Sequence, residues 1–175
     1  DTIFRIYSMT KPITSVALMM LFEEGRFQLN DSVSRFIPSW KGQQVWVSGD
    51  GDDMETREPA SPMTMRHVLS HTSGLTYGTG LFPSEHPVDK FYDKLGVNRD
   101  AGETIESFAE KLSTVPLRYD PGTQWCYSLA TDVCGCLVEF ISGMPFAQFL
   151  QERIFDPLGM TDTSFVVPEE KLDRL

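Results

Sequence analysis

Ten residues, Ile13 to Phe22, are apolar except for Thr14 and Ser15, and the five before them read Ser8-Met9-Thr10-Lys11-Pro12. The run predicts a helix over 10–24, with Gly25 as the left-handed residue that closes it. Ile13, Val16, Ala17, Leu18, Met19, Met20, Leu21 and Phe22 together cover every side of that helix. A helix apolar all round is expected to be buried. Pro12 is tolerated because the first turn has N–H groups without intrahelical partners. Ser8 and Lys11 are three residues apart, so they share a helix face and the ammonium can reach the hydroxyl. A serine at its ordinary pKa is a weak nucleophile and needs a base beside it. A lysine becomes that base only if burial or neighbouring cations pull its pKa down, and the apolar run is expected to supply the burial. Ser8 would also stand at the positive end of the helix dipole, where an oxyanion is stabilised.

Taken alone, the Ser-x-x-Lys spacing arises about once by chance in a chain of this length and ordinary composition. It equally describes an N-cap serine followed by a solvated first-turn charge. The rest of the chain must decide between the two. Its net charge of −10, from 25 Asp and Glu against 15 Lys and Arg, argues against nucleic acid or an anionic membrane as partner, since both demand a basic face. The longest apolar run is well short of the roughly 18 residues of a membrane span. Cys134 and Cys136, two apart on a predicted helix, diverge by about 200°, which is wrong for a metal clamp. With Cys126 they read as small hydrophobes in a reduced protein, and with three histidines in all a zinc site is not expected. Asp50, Asp52, Asp53 and Glu55 are too irregular for a calcium loop. No cofactor or metal is expected.

In chain order, 2–7 (Ile3, Phe4, Ile6, Tyr7) reads as an extended entry to the first helix. Asn30-Asp31 starts a helical turn through Phe36 that Pro38 stops. The stretch 43–48 alternates weakly and suits a short strand, and the polar 49–62 reads as a surface excursion. Thr64 caps a short helix over 65–70, and His71-Thr72-Ser73-Gly74-Leu75 breaks away into a Gly-, Thr- and Pro-rich segment. Helices are predicted over 87–95, from Thr104 to about Thr114, and over 128–142 with Gly143 beyond its end. Pro145 is expected at the first position of one more helix. Pro121-Gly122-Thr123 is a tight turn delivering Trp125, Cys126, Tyr127 and Ser128. A helix-rich chain with little sheet, starting at Asp1, reads as one partial domain, 1–175, cut from a longer protein and inactive as cut.

Four motifs occur in order: Ser8-Met9-Thr10-Lys11-Pro12, Leu69-Ser70-His71-Thr72-Ser73-Gly74-Leu75, Pro121-Gly122-Thr123 with Tyr127-Ser128, and Pro157-Leu158-Gly159-Met160. Their combination over nearly the whole chain resembles the serine β-lactamase-related superfamily of class C β-lactamases, DD-peptidases and family VIII carboxylesterases. The resemblance implies an α/β fold of β-lactamase/transpeptidase type, with a helical domain beside a sheet that is mostly missing here. It implies that Ser8 is the nucleophile, with Lys11 and Tyr127 as partners converging in one water-poor crevice. Tyr127-Ser128-Leu129 matches the family's Tyr-x-Asn motif at its first position, which places Ser128 and Leu129 as candidate substrate contacts. Ser128 also reads as the N-cap of the helix that follows. Leu129 departs from the asparagine that holds an antibiotic's amide in the β-lactamases, a contact worth about 1–3 kcal/mol when buried.

That departure favours a carboxylesterase-like enzyme forming an acyl-enzyme with a small-molecule ester or amide. A β-lactamase or DD-peptidase, and a non-catalytic binding or scaffolding module, remain the alternatives. The family's third motif, Lys-Thr-Gly or a variant, has no counterpart in the sequence. His71 is expected to hold its loop by hydrogen bonds rather than to serve in a Ser-His-Asp triad. The segment 78–100 is expected to border the pocket.

Overall fold

The computed structural model describes residues 1–80, 83–97 and 102–175; of the 78–100 segment, positions 81–82 and 98–100 lie outside the described residues. Among the described residues, six α-helices and one short hairpin form the main elements: α1 (Thr10–Glu23), β1 (Val45–Ser48), β2 (Glu55–Arg57), α2 (Met65–Leu69), α3 (Pro87–Lys94), α4 (Ile105–Ser113), α5 (Ala130–Ser142) and α6 (Phe146–Leu150). α6 runs on into a wider turn over Gln151–Phe155. Among the described residues the assembly is mostly helical, and its one sheet has two strands.

The helix at the centre is α5. It packs on α1, α2, α4 and α6, and Ala130, Thr131, Val133, Cys134, Gly135, Cys136, Leu137, Val138 and Ile141 are all buried. Small residues make this possible, because Ala, Gly and Cys let neighbouring backbones approach closely; the Phe146 ring lies about where it would touch a Cβ at Gly135, 3.5 Å away. Cys134 and Cys136 are unpaired and buried, and burial pushes the Cys136 thiol up to about 12. Gly143 takes the left-handed conformation that ends the helix.

α1 departs from expectation. Thr14, Ala17, Leu18 and Leu21 are buried against α5, whereas Val16 is 53% exposed. An apolar run fixes a helix but not the number of neighbours that cover it, and among the described residues none covers the Val16 side. Phe4, Tyr7, Met9, Phe165, Val166 and Leu172 are likewise exposed. The N-terminal segment carries no strand; its Ile3 N–H donates to the Arg174 carbonyl at 2.6 Å, beside a final turn at Glu169–Arg174.

Part of the predicted surface excursion is strand. β2 pairs antiparallel with β1, Val45 opposite Arg57 and Trp46 opposite Thr56, with an irregularity before Ser48. Its three residues are exposed and polar, so hydrophobic alternation had nothing to report there. The turn expected from Asn30 is a tight one over Val33–Arg35, where Ser32 accepts the Ser34 N–H. Thr64 does cap α2 by accepting the His67 N–H, and His67 returns the bond by accepting the Thr64 N–H. Pro145 precedes α6 as its N-cap rather than entering its first turn.

Candidate active site

Ser8 lies in a single tight turn, Tyr7–Met9, that leads directly into α1, and Lys11 follows in the first turn of the helix. The Lys11 ammonium is 3.4 Å from Ser8 Oγ. From the far side of the crevice Tyr127 brings its hydroxyl to 2.8 Å from the same oxygen. The serine, lysine and tyrosine named from sequence thus meet at one point.

A fourth side chain completes the group. Tyr77 accepts a 2.8 Å hydrogen bond from Lys11, and its ring stacks on that of Tyr127 with centroids 5.3 Å apart. Lys11 Nζ stands 5.0 Å from the Tyr127 ring centroid and 5.3 Å from that of Tyr77. Sequence reading passed over Tyr77, an aromatic in an aperiodic loop. The only hint was its place between two glycines, Gly74 and Gly78, just after the His71–Leu75 break.

Both glycines are required. Gly74 has φ +86, and a Cβ there would lie 2.2 Å from the Tyr119 carbonyl oxygen; Gly78 has φ +63, and its Cβ would meet that of Tyr92 at 2.7 Å. The loop carrying Tyr77 is laced to the one carrying Tyr127 by main-chain bonds. The N–H groups of Arg118, Gly122, Cys126 and Leu129 donate to the carbonyls of Gly74, Thr72, His71 and Thr76 at 2.7–3.1 Å. The two phenols therefore arrive as one unit, facing the α1 entrance.

Electrostatics overturn one expectation. Burial alone would lower the Lys11 pKa, but hydrogen bonds and charge interactions with Tyr77 and Tyr127 outweigh it and hold the ammonium above its ordinary value. Ser8 is exposed, and Lys11, Tyr77 and Tyr127 are only half-buried, so the crevice of this chain is open to solvent and Lys11 stays a cation. The Tyr127 phenol shifts the other way. Its hydrogen bond with Ser8 lowers its pKa, burial opposes, and Lys11 adds to the lowering. Burial raises Tyr77 against the pull of Lys11. Two phenols on one ammonium are thereby pushed apart in acidity.

Ser128 and Leu129 do not line the crevice. Both side chains are buried, so neither is open to the crevice as expected of a substrate contact. Leu129 packs in the core as the residue flanking α5, in place of Ser128. Ser128 Oγ instead accepts the Ala130 N–H at 3.4 Å and sits 3.2 Å from His71 Nδ1. The open surface beside the tyrosines belongs to Trp125, 67% exposed and stacked on Tyr127 at 6.4 Å.

Lys11 also borders a cavity of about 470 Å³ lined by Thr14, Phe108, Asp132, Phe146 and Phe165 among others. Asp132 is open to this cavity yet surrounded by protein; burial raises its carboxyl, with Lys11 opposing. Among the described residues no three of His, Cys, Asp or Glu gather where they could hold a metal, and none of the helices is long and apolar enough by itself to cross a membrane.

A helical framework thus presents a serine, a lysine one turn along and a phenol from a distant loop. The family model described as Beta-lactamase matches residues 1–175, and the chain belongs to that family. It is 35% identical over 178 residues to Esterase EstB of Burkholderia gladioli, covering 97% of this chain and 40% of that protein. Simvastatin synthase (LovD) from Aspergillus terreus, unliganded, superposes with a TM-score of 0.75 at 33% identity, over 94% of this chain and 40% of that one. A β-lactamase/D-alanine carboxypeptidase from Yersinia pestis, complexed with citrate, gives 0.67 at 28% identity, over 98% and 43%. The chain thus spans about 40% of the length of the relatives it matches. The family's members are serine-hydrolase-type enzymes, hydrolases and acyltransferases of β-lactamase fold.

Proposed function

We propose that this chain carries the nucleophile and base of a serine esterase that works through an acyl-enzyme. The observation that carries the reading is the contact of Ser8 Oγ with the Tyr127 hydroxyl at 2.8 Å, beside an ammonium that favours the phenolate. Ser8 attacks the ester carbonyl as its proton passes to the Tyr127 oxygen, while Lys11 stabilises the tyrosinate by charge. The Ser8 N–H, at the positive end of α1, is one donor to the oxyanion. Collapse expels the alcohol, which takes its proton from Tyr127, and leaves the acyl group on Ser8. Water activated by the same tyrosine then releases the acid. Tyr77, bonded to Lys11 and held less acidic, stays a phenol and keeps the ammonium between the two rings.

The reading of Lys11 as the acylation base is the weaker one, because a lysine with a raised pKa has no lone pair to offer at neutral pH. A β-lactamase or DD-peptidase would use the same Ser8, Lys11 and Tyr127. Leu129, however, is apolar and in the core, so it supplies no amide contact of the kind an asparagine would give. In the full-length protein, Ser8→Ala is expected to abolish hydrolysis of a short-chain p-nitrophenyl ester, and a fluorophosphonate is expected to add its mass at Ser8. Undiminished turnover would overturn the proposal. Cephalosporin turnover above that of a butyrate ester would move it to the lactamase reading, and absence of labelling together with no turnover of either would leave a binding module.

A further inference from the structure

Only two residues other than glycine have positive φ among the described residues: Tyr7, at +44°, and His71, at +55°. One precedes the nucleophile. The other touches the base from behind, and nothing in the acylation scheme uses it. Left-handed backbone at a non-glycine residue is uncommon and persists where the surroundings hold it in place.

The surroundings of His71 are unusually complete. Its carbonyl accepts the Cys126 N–H at 2.8 Å. Its Nδ1 accepts the Ser128 N–H at 3.3 Å, with Ser128 Oγ at 3.2 Å. The residues on both sides of Tyr127 are thus fastened to His71, one to its main chain and one to its ring. The ring itself packs against Tyr127, centroids 5.1 Å apart, and lies 6.2 Å from Trp125. Its far nitrogen, Nε2, is 3.3 Å from Thr131 Oγ1 on α5.

These contacts fix the proton. A main-chain N–H cannot turn round, so the nitrogen that accepts it carries no hydrogen. The ring is then neutral, its one proton sits on Nε2, and that proton points at the Thr131 hydroxyl. We infer that His71 is the positioning residue for Tyr127: its neutral Nε2–H form holds the phenol against Ser8, and adding a proton at Nδ1 lets the phenol go. A protonated Nδ1 would face the Ser128 amide donor to donor, which undoes one of the two fastenings. The groups around the ring agree on keeping it neutral. Trp125, Ser128 and Thr131 bring no charge, Tyr127 brings one only when its phenol ionises beside Lys11, burial lowers the His71 pKa below its ordinary value, and the Lys11 charge lowers it further.

The inference rests on Tyr127 being the base, so its test needs one arm that does not read activity. That arm is the ring nitrogen spectrum of the ¹⁵N-histidine-labelled full-length protein, with the His71 signals assigned by their loss in His71→Asn. The expected result is an unprotonated Nδ1 and a protonated Nε2 at pH 7, with a titration midpoint below about 6.5. An Nδ1–H tautomer, or a ring already charged at pH 7, overturns the inference whatever Ser8→Ala does to turnover.

The second arm is kinetic. Asparagine tolerates positive φ and places an oxygen where Nδ1 was, but cannot take up a proton. His71→Asn is expected to keep kcat at neutral pH within about threefold and to lose the decline in kcat that follows His71 protonation. His71→Ala is expected to lower kcat by about tenfold or more with KM little changed, since a misplaced base costs on the order of 10²-fold or more. An acid limb in His71→Asn that coincides with the parent's overturns the inference, as does full activity in His71→Ala.

Discussion

At the scale of single residues, the notable outcome is a division of labour between two tyrosines on one ammonium. Tyr127 touches Ser8 and is made more acidic; Tyr77 touches Lys11 and is made less so. Tyr127→Phe is therefore expected to cost on the order of 10²–10⁴ in kcat, the range for losing a positioned base. Tyr77→Phe removes one hydrogen bond from a charged group and is expected to cost about tenfold. The pH profile distinguishes them. Because the Tyr127 pKa is lowered, the active phenolate fraction grows as pH rises toward that value, so ester hydrolysis should climb through a limb lying below 10, the ordinary tyrosine pKa. Tyr77→Phe should move this limb, because it leaves Lys11 less firmly held over Tyr127. A profile identical in parent and Tyr77→Phe would argue that Tyr77 is a bystander. Sequence could name Ser8, Lys11 and Tyr127 because they sit in motifs with fixed spacing. It could not name Tyr77, whose importance is a matter of what lies opposite it. For the same reason it misjudged Lys11: the charge state of a lysine depends on its acceptors, and those come from 66 and 116 residues away.

Among the elements, α5 rather than α1 turns out to be the hub. Its packing gives two contrasting expectations. Leu137→Ala opens a hole at a fully buried position and should destabilise by about 2–5 kcal/mol. Gly135→Ala should go the other way, because the added methyl meets the Phe146 ring at an ordinary 3.5 Å while the helix gains about 0.8–1 kcal/mol in propensity. Chemical denaturation of the two variants checks both signs; a loss for Gly135→Ala would mean that the ring cannot accept even van der Waals contact. Most helices were readable, since Gly25, Thr64, Gly96, Thr104 and Gly143 mark their ends by local chemistry. The second strand was not, because Glu55-Thr56-Arg57 pairs through its backbone alone and buries nothing. Nor was the exposure of Val16, since a hydrophobic run states what a helix could bury and not what is there to bury it.

Over the whole molecule, Phe4, Phe165 and Val166 line one open cleft, and Met9 and Val16 are exposed as well. Large exposed apolar patches bind something, whether chain, partner or dye. The 175-residue chain in isolation is expected to enhance the fluorescence of a hydrophobic dye and to elute larger than a monomer at micromolar concentration, despite its charge of −10. Replacing Val16 and Val166 by Glu should reduce both effects. A monomer that leaves the dye dark would show the patch to be too scattered to matter.

The lacing between the two tyrosine loops reaches further than its role in this site. Four of its stitches are an amide meeting a carbonyl, and away from Gly74 and Gly122, which have no room for a Cβ, and His71, whose ring makes a stitch of its own, they place no demand on the side chains that flank them. A residue such as Trp125, exposed and stacked on Tyr127, can then be exchanged while the reactive oxygens keep their places. A scaffold of that sort uncouples the side chains around the crevice from the placement of its reactive oxygens.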